Sequence, residues 1–125
     1  MNVHTNALRG YSQSFAPTRT PRATEYSVIA QITHRMRSAA VRGKIGFPAL
    51  AEALHDNRRL WTTLAVDVAD SANALPPDLR ARIVYLAEFT HVHTGKVLNG
   101  QATVKPLLEI NAAILRGLNS ESPAI

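Results

Sequence analysis

The stretch Phe47–Trp61, FPALAEALHDNRRLW, decides the fold. Pro48 suits the first position of a helix, where its missing N–H is no loss, and the Ala, Leu, Glu and Arg that follow favour continuation. Leu50, Leu54, Asn57, Trp61, Leu64 and Val68 succeed one another at steps of four and three, which sets them on one face of a long helix. Asn57 interrupts that face with a polar group, and Arg58 and Arg59 flank it. A helix with this much apolar surface needs partners, from its own chain or from another protein.

The chain on either side supplies candidates. Upstream, Thr24 and Glu25 open a helix whose inner face is Tyr26, Ile29, Thr33, Met36 and Ala40, widened by Val28, Ile32 and Ala39. Gly43 can take the left-handed conformation that stops it, and Lys44-Ile45-Gly46 is a tight connection into the Phe47 helix. That helix is expected to run to about Ala72, ended by Asn73, Ala74, Leu75 and the Pro76-Pro77 pair. Pro77 and Asp78 then suit the first turn of a helix with the seam Leu79, Ile83, Leu86, Thr90, His93 and Val97, with Val84, Ala87 and Phe89 beside it. Asn99-Gly100 closes it. A last helix, from about Thr103 to Leu118, carries Val104, Leu107, Leu108, Ile114, Leu115 and Leu118, with Asn111 in the middle of its apolar side.

The N-terminus differs in kind. Residues 2–14 form at most a short helix with Val3, Ala7, Leu8 and Tyr11 on one side, weakened by Gly10. A helix this short must dock on something to persist. Residues 15–22, FAPTRTPR, read as an extended linker with Pro17 and Pro21. The predicted fold is all-α: a single-domain antiparallel bundle of about five helices. Residues 1–22 are its short N-terminal helix and linker, 23–118 the bundle, and 119–125 a flexible tail.

Composition agrees. A chain of 125 residues fits one domain, and its 46% apolar but 6% aromatic content suits interlocking helices better than a sandwich of sheets. The absence of cysteine excludes disulfides, thiolate metal sites and cysteine catalysis. No stretch approaches the roughly 20 apolar residues of a membrane span and no secretory leader is legible, so a cytoplasmic location without a membrane partner is expected. The net charge of +5 is uneven: residues 1–45 hold seven bases and one acid, and the other eighty hold seven bases and eight acids.

Catalytic chemistry finds no foothold. His91 and His93 diverge by roughly 200° on a helix and cannot share a metal. His55 and Asp56 diverge for the same reason, and Asp67 and Asp70 read as a solvated pair. No G-x-S-x-G, S-x-x-K or glycine-rich phosphate loop occurs. The expectation is a protein that is not an enzyme, with no metal and no cofactor. Nucleic-acid binding stays open through the basic N-terminal third, with Tyr11, Phe15 and Tyr26 as stacking surfaces, although no recognised RNA- or DNA-binding signature accompanies it. For Asn57 and Asn111 two readings stand: pairing that fixes helix register, or hydrogen bonding to an incoming helix. For Trp61 the two are core filler and interface anchor.

The strings PTRTPRATEYSVIAQIT, FPALAEALHDNRRLW, LAVDVADSANALP, LRARIVYLAEFTHVH, KVLNG and INAAILRGL, in that order, resemble the flagellar biosynthesis regulator FlaF family of alphaproteobacteria, over about Ala7 to Leu118. The resemblance implies a cytoplasmic factor needed for flagellin production and export, acting beside a partner protein that represses flagellin translation. It transfers no residue roles. The pattern suggests a groove between the Phe47 and Leu79 helices, rimmed by Arg58, Arg59 and Arg82, and the resemblance implies its occupant, an amphipathic terminal helix of flagellin. Its partner-binding residues would be Leu8, Tyr11, Tyr26, Leu54, Asn57, Arg58, Trp61, Arg82, Leu86 and Phe89, with the N-terminal helix as a detachable cover. The alternatives are direct contact with flagellin messenger RNA, or an adaptor docking on the translation repressor or the export apparatus.

Overall fold

A computed structural model of the protein describes residues 21–120. They form four helices: α1 (Pro21–Ala40), α2 (Phe47–Ala69), α3 (Pro77–Leu98) and α4 (Lys105–Ser120), with a 3-10 turn at Gly43–Gly46 between the first two. The predicted N-terminal helix lies outside the described residues. No strand occurs among those described.

Chain direction follows from which residues meet. Arg35 of α1 reaches Asp56 of α2 while Gly46 meets Ala39, and Arg58 of α2 reaches His91 of α3 while Val68 meets Arg80. Neighbours in sequence are therefore antiparallel. α2 packs along α1 and α3, and α4 packs along α1. α2 and α4 stand diagonally, their backbones nowhere adjacent, and only long side chains span the centre between them. α3 touches α4 only slightly.

Local chemistry corrects several boundaries. α1 starts at Pro21, so the end of the expected linker is helical: Pro21 takes the same first-turn role as Pro77. α2 stops at Ala69, short of Ala72, because Asp70 leaves the helical region with ψ 128° and its Oδ1 accepts from the Ala72 amide. Asn73 then donates from Nδ2 to the Asp67 carbonyl and accepts from the Leu75 amide, so two side chains build the turn that competes with another helical turn. Arg80 of α3 finishes this end, donating from Nε to the Val68 carbonyl at 2.8 Å and from Nη2 to that of Asp70 at 3.0 Å. Asp67 titrates above the ordinary aspartate range here, through loss of hydration first and the nearby charge of Asp70 second. α3 ends as predicted at Asn99-Gly100: Gly100 has φ 75°, and the amides of Gly100 and Gln101 bond to the carbonyls of Val97 and Lys96. α4 begins at Lys105 and extends through Ser120, taking in two residues of the expected tail.

The core has two parts. One, drawn from all four of these helices, centres on Ile29, Met36, Leu54 and Leu107 and takes in Val97 at the end of α3. The other holds Trp61, Val68 and Ile83, rimmed by Leu79, Leu86, Ile110 and Ile114, which stay partly exposed. The α1–α2 corner is tight. A Cβ on Gly46 would run into the Ala39 carbonyl oxygen and sit 2.9 Å from the Arg42 Cβ. Gly46→Ala is accordingly expected to lower stability by about 1–3 kcal/mol, read as a fall in the urea midpoint without loss of helix content at low urea.

Candidate interaction surface

The bundle centre is polar at one level. Trp61 donates from Nε1 to Asn111 Oδ1 at 2.9 Å, and Asn111 donates from Nδ2 to Asn57 Oδ1 at 2.9 Å and to Thr33 Oγ1 at 3.0 Å. The Thr33 hydroxyl in turn donates to the Ile29 carbonyl at 2.7 Å. Three helices thus meet on one amide, and Asn57 and Asn111 are fully buried. The Asn57 Nδ2 and the Thr90 Oγ1 are also buried and find no hydrogen-bond partner, each a cost of about 1–3 kcal/mol. Of the two readings of the seam asparagines, this is pairing that fixes register: a helix slipped by one turn would leave the Trp61 N–H without an acceptor.

This geometry corrects the expected groove. Leu54, Asn57 and Trp61 are at most 1% exposed, because α1, α3 and α4 cover the apolar face of α2 from every side, so no partner reaches them in this fold. Nor is there an opening between α2 and α3. Arg58, expected at the rim, straps the two together by donating from Nε and Nη2 to the His91 carbonyl at 3.2 and 2.7 Å. Arg59 is half-buried on the same helix. Leu8 and Tyr11 lie outside the described residues. Tyr26 is exposed, but at the start of α1.

Arg82, Leu86 and Phe89 fall elsewhere. With Leu79 and His93 they recur at steps of three and four along one flank of α3. Leu86 is half-buried on the second core, which it shares with Ile110 and Ile114 of α4. Phe89 stacks on His93 with ring centroids 5.2 Å apart, and His93 Nε2 is hydrogen-bonded to the Thr103 carbonyl at 2.8 Å, closing the end next to the α3–α4 connection. Arg82 is exposed. The side where cover is thin is therefore α3–α4, with Trp61 and Val68 beneath. Of the lining residues on α4, Ile114 was expected on the apolar side of the helix but Ile110 was not; its spacing of four from Ile114, on the far flank from Leu108 and Leu115, is the signal that marks it.

Other candidates are slighter. A shallow depression of about 370 Å³ beside His34, Arg35, Ser38, Arg42 and Glu52 is walled by charge, and Arg35 is committed to Asp56 at 2.9 Å. Among the described residues no group of three His, Asp or Glu is placed to hold a metal ion, and no helix is long and apolar enough to cross a membrane.

These features define an antiparallel bundle, of four helices among the described residues, with a polar knot at its centre and one thinly covered apolar side. The chain belongs to the family of flagellar protein FlaF, whose family model matches residues 7–118, and its role accordingly lies in flagellar biosynthesis. Neither the curated proteins nor the solved structures compared with it match the chain.

Proposed function

We propose that the protein is a cytoplasmic, non-enzymatic chaperone and regulator that binds flagellin before export. In this reading an amphipathic terminal helix of flagellin lies along the α3–α4 side. The observation that carries it is the incomplete seam: Leu79, Leu86, Ile110 and Ile114 surround Trp61 and Val68 yet stay partly exposed, while α3 and α4 barely meet. A helix laid there with apolar residues at steps of three and four would complete the packing, the usual mode of helix-in-groove recognition. The exposed Arg82 sits on the same flank of α3, where it can meet an acidic residue of the incoming helix.

The test is titration of purified chain with flagellin, in parallel with Leu86→Glu and Ile110→Glu. Each substitution is expected to weaken binding about tenfold or more, the scale of an anchoring residue, with helix content retained. Unchanged affinity in both folded variants would refute the site. Complex formation that disappears with nuclease treatment, and falls steeply with salt, would instead favour contact with flagellin messenger RNA.

A further inference from the structure

The up-and-down order of the helices brings the α1–α2 turn and the α3–α4 connection to the same end of the bundle. That end is basic. Arg37, Arg42, Lys44, Lys96 and Lys105 are all exposed there, and neither 37–51 nor 89–108 contains a single Asp or Glu. The opposite end is where Asp67, Asp70 and Asp78 cluster around the α2–α3 turn. Within the basic end, the turn VRGKIGF pushes apolar side chains outward: Val41 is 80% exposed, Ile45 82% and Phe47 44%. The turn is built to hold this shape, since Gly43 has φ 64° and Gly46 has no room for a side chain.

We propose that this end docks peripherally on an anionic lipid surface, with Val41 and Ile45 entering the boundary between headgroups and acyl chains and the five cations lying over the lipid phosphates. Peripheral docking needs no membrane span, so it is compatible with the lack of one among the described helices. Three observations choose lipid over other anionic partners. A convex tip of three side chains offers far less than the roughly 800 Å² per partner of a stable protein interface, whereas shallow insertion combined with several cations suffices for reversible membrane binding. Val41 and Ile45, the two most exposed side chains of the tip, cannot stack on bases as a nucleic-acid surface would require, and Phe47, the one that could, is only 44% exposed. Two copies of the tip would bring like charges together.

The experiment is co-sedimentation of the full chain with vesicles of equal parts phosphatidylglycerol and phosphatidylcholine, and with phosphatidylcholine alone. Binding is expected only to the anionic vesicles. Val41→Ser combined with Ile45→Ser should weaken it about tenfold, and Arg42→Gln combined with Lys44→Gln at least as much, because apolar insertion and headgroup attraction both contribute. All four positions are exposed, so both variants should melt as the parent does. No binding to anionic vesicles would overturn the proposal. So would full binding by the serine variant, since attraction by charge alone is what RNA or any polyanion would show. Loss of flagellin binding in the serine variant, without vesicle binding by the parent, would reassign the tip to a protein partner.

Discussion

Replacing Asn111 by alanine is expected to destabilise the protein by about 3–4 kcal/mol, because one amide serves three helices and each stranded partner costs about 1–3 kcal/mol. The Trp61 N–H would lose its acceptor, the Asn57 Oδ1 its donor, and the Thr33 hydroxyl one of its two bonds. The sum stays below three full penalties because the groups act as one network. Asn111→Leu should fare little better, since it restores volume but none of the bonds. Changing Asn57 and Asn111 to leucine together with Trp61→Phe removes donor and acceptor alike, and should recover much of the loss. Urea midpoints for the three variants check the order; an Asn111→Ala variant as stable as the parent would show that the knot does not hold the fold together.

The second large effect is at Trp61. Trp61→Ala is expected to remove about 3–5 kcal/mol through the cavity it opens, with a further penalty for the buried Asn111 carbonyl oxygen left without its donor. Against a total stability of about 5–15 kcal/mol for a domain, such a loss takes away a large share, and at the lower end of that range it leaves the variant partly unfolded at room temperature. Because Trp61 is buried, failure of this variant to bind flagellin would report on lost packing and not on a binding surface. Leu86→Glu and Ile110→Glu probe the open side while leaving the tryptophan in place. Thermal melts that place Trp61→Ala within a degree or two of the parent would contradict its central position in the core.

Helix existence and facing were legible because the apolar period is strong. Leu54, Trp61 and Val68, read as one stripe, are all buried, and so are Ile29, Thr33 and Met36 on α1. Boundaries were less so: the end of α2 depends on the side chains of Asp70 and Asn73 capturing backbone groups, a local competition that periodicity does not register. The groove expected between α2 and α3 is absent for a physical reason. A periodic stripe shows which face of a helix is covered, and is silent on how many neighbours share the covering. Asn57 looked like a break in that cover, whereas its partner stands 54 positions away on a helix whose backbone never approaches α2. Arg82, Leu86 and Phe89 lie on α3 as expected, but on the flank away from α2, since only the packing reveals that α3 leans on α2 and away from α4.

The hydrogen bond between Trp61 and Asn111 has an optical use. Trp61 is the only tryptophan in the chain and is 1% exposed, so its emission should be blue-shifted and shielded from soluble quenchers while the bundle is intact. The indole lies beneath the α3–α4 side and is remote from the Val41–Phe47 tip. A ligand filling the side should perturb the fluorescence, one gripping the tip should leave it unchanged, and unfolding should shift it to the red. A single cuvette thus distinguishes the three events.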